Sequence, residues 1–96
     1  MSRYAKGARL ERLARRELER LGYAVIRSAG SKGAVDLVAF SPRQILLVQV
    51  KGGRVTSADR QKLAAFPAPK IARRQLWQRA NGRFAWQVIE QKRKEK

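Results

Sequence analysis

Asp36, Gln49 and Lys51 are the residues of this chain whose types and spacing suit joint chemistry. Ile45 to Lys51 is a short apolar run with β-branched residues, bounded by Pro42 and by Gly52-Gly53. That is the pattern of a strand buried on both faces. Side chains alternate along a strand, so Ile45, Leu47, Gln49 and Lys51 share one face and Leu46, Val48 and Val50 the other. A preceding strand, Val35 to Phe40, is joined to it by Ser41-Pro42-Arg43-Gln44, a tight turn in which Pro42 presets φ. This hairpin pairs Phe40 with Ile45, Val38 with Leu47 and Asp36 with Gln49, with partner Cβ atoms roughly 5 Å apart. A carboxylate, an amide and a lysine then meet at one end of a core hairpin, where unpartnered polar groups are costly. Phosphodiester hydrolysis suits such a set. Mg²⁺ held by carboxylates polarises a phosphate and acidifies a bound water, and a lysine orients that water and stabilises transition-state charge.

A helix must stand over that hairpin end. From Lys6 to Leu21 the pattern is helical, with Leu10, Leu13, Ala14, Leu18 and Leu21 on one face and Gly22 as the stop. Arg9, Arg12, Arg15, Arg16 and Arg20 occupy the rest. Glu11 sits at the margin of the apolar face. It either reaches over the sheet or forms an ordinary surface pair with Arg15 four residues on, and the helix by itself favours the surface pair. Glu17 falls inside the apolar arc with no evident reason.

The remaining elements follow from local signals. Tyr23 to Arg27 reads as a strand, and Ala29 to Gly33 as a loop whose glycines let backbone amides approach a phosphate, with Ser31 and Lys32 as further donors. Thr56-x-x-Asp59 is a capping box opening a helix to Phe66, which Pro67 and Pro69 end. Ile71 to Ala80 and Arg83 to Gln91 form a hairpin through Asn81-Gly82, a type I′ signal that pairs Trp77 with Trp86. Core or interface packing is the favoured role of both tryptophans, over base stacking. The tail, residues 92–96, is basic and expected to fray. The order is helix, three strands, helix, two strands, in one domain over residues 1–96.

Composition narrows the partners. The 96 residues contain no cysteine and no histidine, which excludes disulfides, thiolate metal sites and histidine catalysis. No apolar run approaches about 18 residues, so no membrane span is expected, and no signal peptide is read, so a cytoplasmic setting is expected. Twenty-three Lys and Arg against seven acids give +16, well beyond the roughly 2–8 that solubility requires of a small domain. A field of that size, spread along the whole chain, points to nucleic acid, without separating DNA from RNA.

These segments together resemble the archaeal-type Holliday junction resolvases, Hjc, of the PD-(D/E)XK nuclease superfamily. The resemblance is carried by Lys6-Gly7-Ala8, Glu11-Arg12, Gly22 through Lys32, Val35-Asp36-Leu37-Val38-Ala39 and the x-Val-Lys ending at Lys51. It is close over the first half of the chain and a matter of layout in the second. It implies a restriction-endonuclease-like α/β fold, a mixed central five-stranded sheet flanked by helices in the order α-β-β-β-α-β-β. It implies Glu11, Asp36 and position 49 as ligands of Mg²⁺, with Mn²⁺ as a substitute, Lys51 as the catalytic lysine and Ser31 beside the scissile phosphate. Arg12 and Arg27 match basic residues that hold DNA near the site, and Lys6, Arg9, Lys32 and Arg54 complete the expected contacts. The family acts as a homodimer that nicks a four-way junction symmetrically, and its second helix, here carrying Leu63 and Phe66, helps form the dimer.

One departure bears on the chemistry. The family motif is Glu-x-Lys, and this chain has Gln49-Val50-Lys51. A glutamine oxygen can ligate Mg²⁺ but brings no charge and no base. Three explanations stay open: an active natural variant, an engineered inactive form, or a paralogue that binds branched DNA without cutting. A basic RNA-binding protein with an accidental motif is the reading from outside the family.

Overall fold

The computed structural model describes residues 3–28 and 33–90, with side chains from residue 7 onward. Its elements are α1 (Arg3–Arg20), β1 (Ala24–Arg27), β2 (Leu37–Ser41), β3 (Gln44–Lys51), α2 (Ser57–Ala65), β4 (Ala72–Ala80) and β5 (Arg83–Ile89). The strands form one sheet in the order β1-β2-β3-β4-β5. Only β3 and β4 run parallel, and α2 is the crossover between them. The other pairs are antiparallel. The expected mixed five-stranded sheet flanked by helices is therefore what forms.

The two helices cover opposite faces, because β3 is apolar on both. Leu46 and Val48 join Ala14 and Leu18 of α1 in one cluster, with Val25, Leu37, Ala39 and Trp77. Leu47 joins Leu63 of α2 in the other, with Val35, Ala72, Leu76 and Ile89. Leu46, Leu47 and Val48 are consecutive and all buried, as a central strand requires. Gly22 ends α1 at φ +98°, where Tyr23 N–H bonds Leu18 O and Gly22 N–H bonds Glu19 O. That is the Schellman closure, which favours glycine in the left-handed region. Leu21, expected on the apolar face, falls in this closure and is 61% exposed.

The hairpin register is as expected at Phe40–Ile45 and Val38–Leu47, around a two-residue turn flanked by Ser41 and Gln44. The ladder stops at Leu37–Val48, so Val35 and Asp36 precede the strand and the regular pairing of Asp36 with Gln49 does not form. Asp36 donates its N–H to Val48 O instead. Asn81 and Gly82 take positive φ at the tip of the β4–β5 hairpin, and Trp77 pairs in register with Trp86. Trp77 is buried, its indole N–H bonded to Gln75 Oε1 and its ring 5.5 Å from Phe84. Trp86 is 57% exposed, so packing within this chain accounts for Trp77 alone. β5 is an edge strand, and a groove between it and the end of α1 is lined by Glu17, Leu21, Phe84 and Trp86.

α2 is anchored at both ends. Thr56 and Asp59 form a reciprocal capping box, and the buried Arg74 guanidinium bonds the carbonyl of Phe66, the C-cap. A cation on that carbonyl complements the helix dipole. Leu63 is fully buried and Phe66 packs on the same cluster. Leu63 thus faces the sheet of its own chain, which corrects its expected place in a dimer contact.

Candidate metal and nucleic-acid cleft

The end of β3 opens into a cleft of about 540 Å³ whose lining includes Leu10, Glu11, Asp36, Gln49, Lys51 and Arg54. α1 supplies Glu11, the segment before β2 supplies Asp36, β3 supplies Gln49 and Lys51, and the following loop supplies Arg54. Backbone bonds fix this geometry. Asp36 donates to Val48 O at 2.8 Å and its carbonyl accepts from Ser28 N–H at 2.9 Å. The loop after β3 is held by Gln78, whose amide donates to Gly53 O at 2.8 Å. Gly52 lies against Leu10 of α1, where a Cβ would collide with the leucine side chain. A side chain there would require the end of the half-buried Leu10 side chain to turn aside.

Each acid at the cleft has a partner of its own. Glu11 accepts from Arg27 Nε at 2.9 Å. The surface pair with Arg15 does not form, because Arg15 pairs with Glu19 at 3.3 Å. The twist of the sheet brings Arg27 to the margin of the helix, and Glu11 reaches over the sheet. Glu17, the unexplained acid, pairs with Arg20 at 3.2 Å.

Asp36 Oδ2 accepts from Val50 N–H at 2.9 Å. Burial pushes its carboxyl up to about 6. The Val50 N–H opposes that shift, the Glu11 charge adds to it, and Lys51 and Arg27 oppose it. A carboxylate raised by burial gains from any cation that joins it. Lys51 Nζ is 3.3 Å from Asp59 Oδ1.

The donor set facing the cleft is two carboxylates and an amide, all oxygen, which fits a hard cation such as Mg²⁺ with waters completing its shell. Among the described residues no group of three acidic side chains gathers. The charge missing at Gln49 is thus not replaced by another acid within that set.

The structure brings Glu11, Asp36, Gln49, Lys51 and Arg54 to one cleft, with Arg27 tied to Glu11. Arg9 and Arg12 are exposed on α1. The expected contacts Ser31, Lys32 and the side chain of Lys6 lie outside the described residues, as does the basic tail. Two features escaped sequence reasoning, the Glu11–Arg27 pair and the contact of Lys51 with Asp59. The capping box was visible, but its closeness to the end of β3 depends on how α2 crosses the sheet.

Comparison with known proteins points in one direction. Residues 2–94 match the family described as archaeal Holliday junction resolvase (Hjc). A Methanocaldococcus jannaschii protein named crossover junction endodeoxyribonuclease Hjc is 44% identical over 69 residues, covering 67% of this chain and 51% of that protein. The chain thus spans about half the length of this curated relative. The solved structure of Archaeoglobus fulgidus Hjc, titled a Holliday junction resolvase, superposes with a TM-score of 0.68. It is 29% identical, over 95% of this chain and 80% of that one.

Proposed function

This chain belongs to the archaeal Holliday junction resolvase family, and from that premise we propose that it is a Mg²⁺-dependent endodeoxyribonuclease that recognises four-way DNA junctions. The observation that carries this reading is the meeting of Glu11, Asp36, Gln49 and Lys51 in one cleft on a chain of charge +16. Glu11, Asp36 and the Gln49 carbonyl would hold Mg²⁺, with Mn²⁺ able to replace it. The bound ion supplies Lewis acidity toward the phosphate and an acidified water. Asp36, steadied by Val50 N–H and lining the cleft, would offer its carboxylate to the cation. Arg27 holds Glu11 in place. Lys51 offers a cation to the charge that develops on the phosphate. Arg9, Arg12 and Arg54, with Lys6, Lys32 and Ser31, contact DNA phosphates, which fixes register without reading bases. Junction preference comes from a homodimer that presents two clefts for paired nicks. An intracellular setting accords with a DNA substrate.

Gln49 favours one alternative, a branched-DNA binder on the same fold that does not cut. An end-labelled four-way junction and its linear duplex, incubated with Mg²⁺, Mn²⁺ or EDTA and mapped on a sequencing gel, separate the two. Paired symmetric nicks confined to the junction, lost with EDTA and with Asp36→Asn, are the expected result. Tight junction binding without nicks, with cutting gained by Gln49→Glu, would establish the binder. If neither protein cut the junction or preferred it to duplex, the resolvase reading would fail.

A further inference from the structure

We infer that Asp59 is a positioning residue for Lys51, so that the N-terminal cap of α2 is part of the cleft's machinery. The inference rests on the proposed role of Lys51 and extends it to a residue outside the motif.

A lysine is a point charge on a flexible stem, so its place must be set by what it touches. Lys51 is the last residue of β3 and is followed by two glycines, which leave its stem without a neighbouring side chain on that side. Its nearest partner on the same strand face is Gln49, which is neutral. Glu11 is engaged by Arg27 and Asp36 Oδ2 by Val50 N–H. Among the described residues, Asp59 is the carboxylate within ion-pair distance of Lys51, at 3.3 Å.

Asp59 is itself immobilised. Its Oδ2 accepts the Thr56 N–H at 2.9 Å and its own N–H donates to Thr56 Oγ1 at 3.1 Å. These bonds fix the carboxylate so that the other oxygen, Oδ1, faces Lys51. The Thr56 backbone N–H above all holds the Asp59 carboxyl below the usual range; burial opposes it, and the Thr56 side chain and Lys51 add smaller lowering effects. The carboxylate therefore keeps its charge wherever the site is used. Asp59 is the third residue of α2, where the helix dipole also favours an anion.

The arrangement has a chemical purpose. With Gln49 in the motif, the cleft has two carboxylates for a cation. A Lys51 ammonium leaning on Asp36 would neutralise one of them. Asp59 holds that ammonium by an ion pair of its own while Lys51 still lines the cleft, so the lysine is tied to a carboxylate outside the donor set of Glu11, Asp36 and Gln49.

Three substitutions separate this role from simple helix capping. Asp59→Asn keeps an oxygen to accept the Thr56 N–H but loses the charge that holds Lys51. Asp59→Glu keeps the charge, and Thr56→Ala removes one arm of the cap while leaving the ion pair. Single-turnover nicking of a four-way junction, junction affinity in EDTA, thermal melting and ¹⁵N relaxation of the Lys51 ammonium are measured on each. Asp59→Asn should slow nicking by about tenfold or more, leave junction affinity within about twofold and make the Lys51 ammonium mobile. Asp59→Glu should recover part of the rate. Thr56→Ala should melt about 4–8 °C lower yet, below its transition, nick faster than Asp59→Asn, because the backbone N–H of residue 56 still holds Asp59 Oδ2 and the charge beside Lys51 remains. Wild-type nicking by Asp59→Asn would overturn the inference, as would losses of rate that follow melting temperature in all three. If the unsubstituted protein cuts nothing, the resolvase reading fails separately. The relaxation data then decide the inference: an ammonium already mobile beside Asp59 overturns it, and one that is ordered and released by Asp59→Asn upholds it.

Discussion

At the scale of single residues, Asp36 carries the most testable electrostatics. Its folded carboxyl titrates at about 6 against an ordinary 3.8. Between those values the folded chain keeps a proton that the unfolded chain has released, so stability declines as pH rises from about 4 through 6. Asp36→Asn should remove this contribution, and saturating Mg²⁺ should flatten it by favouring the ionised form. Thermal melts of both proteins across that range check the sign, and parallel curves would refute it. Gln49→Glu adds a carboxylate to the donor set, so half-maximal activity or metal binding should come at lower Mg²⁺, by about tenfold for each 1.4 kcal/mol gained. Calorimetric titration with Mg²⁺ reads this whether or not DNA is cut. Asp36, Gln49 and Lys51 could be grouped from strand alternation and a tight turn, which are local, whereas Glu11 joined them only through the family resemblance, since the helix by itself favoured a pair with Arg15. The partners of Glu11 and Lys51 were not legible, since Arg27 and Asp59 reach them across the fold.

Among the elements, α1 and β3 set the cleft and α2 braces it. Gly52→Ala should lower stability by about 1 kcal/mol or less and leave nicking within about twofold, because the added methyl meets only the end of the half-buried Leu10 side chain. Urea unfolding and cleavage assays test both parts. Leu63→Ala should cost about 2–5 kcal/mol through a core cavity, with no direct effect on self-association, since Leu63 is enclosed by its own chain. Trp77→Ala should cost about 3–5 kcal/mol, whereas Trp86→Ala should fall within about 0.5 kcal/mol. Equilibrium denaturation compares the pair. The tryptophans show where sequence reading stops. Asn81-Gly82 fixed their register through two φ angles, a local matter. Which of the two would be covered depends on which strand lies inside the sheet and which at its edge, and no local pattern records that. The hairpin before Lys51 was legible for the opposite reason, since Pro42, Gly52 and strand alternation all lie within it. The parallel partner of β3 was not, because pairing through a crossover is a property of the assembled sheet.

For the whole molecule, under the proposed function the charge of +16 would govern how DNA is met. Junction affinity should fall linearly on a log–log plot against salt, and losing one phosphate contact, as in Arg12→Ala or Arg54→Ala, should reduce the slope by about 1. Band shifts over a salt series measure this, and an unchanged slope would place those arginines away from DNA. The crossover has a consequence in time as well as in space. Glu11, Asp36, Gln49, Lys51 and Asp59 all precede β4 in the chain. They leave the ribosome before the strand that completes the sheet. The meander β1-β2-β3 closes from near neighbours, and so does the β4–β5 hairpin, but their union waits for a non-local parallel pairing, the slow kind. Until then β3 presents an unpaired apolar edge in the middle of the future sheet. The nascent chain is thus most open to mispairing with another copy at the strand that bears its lysine.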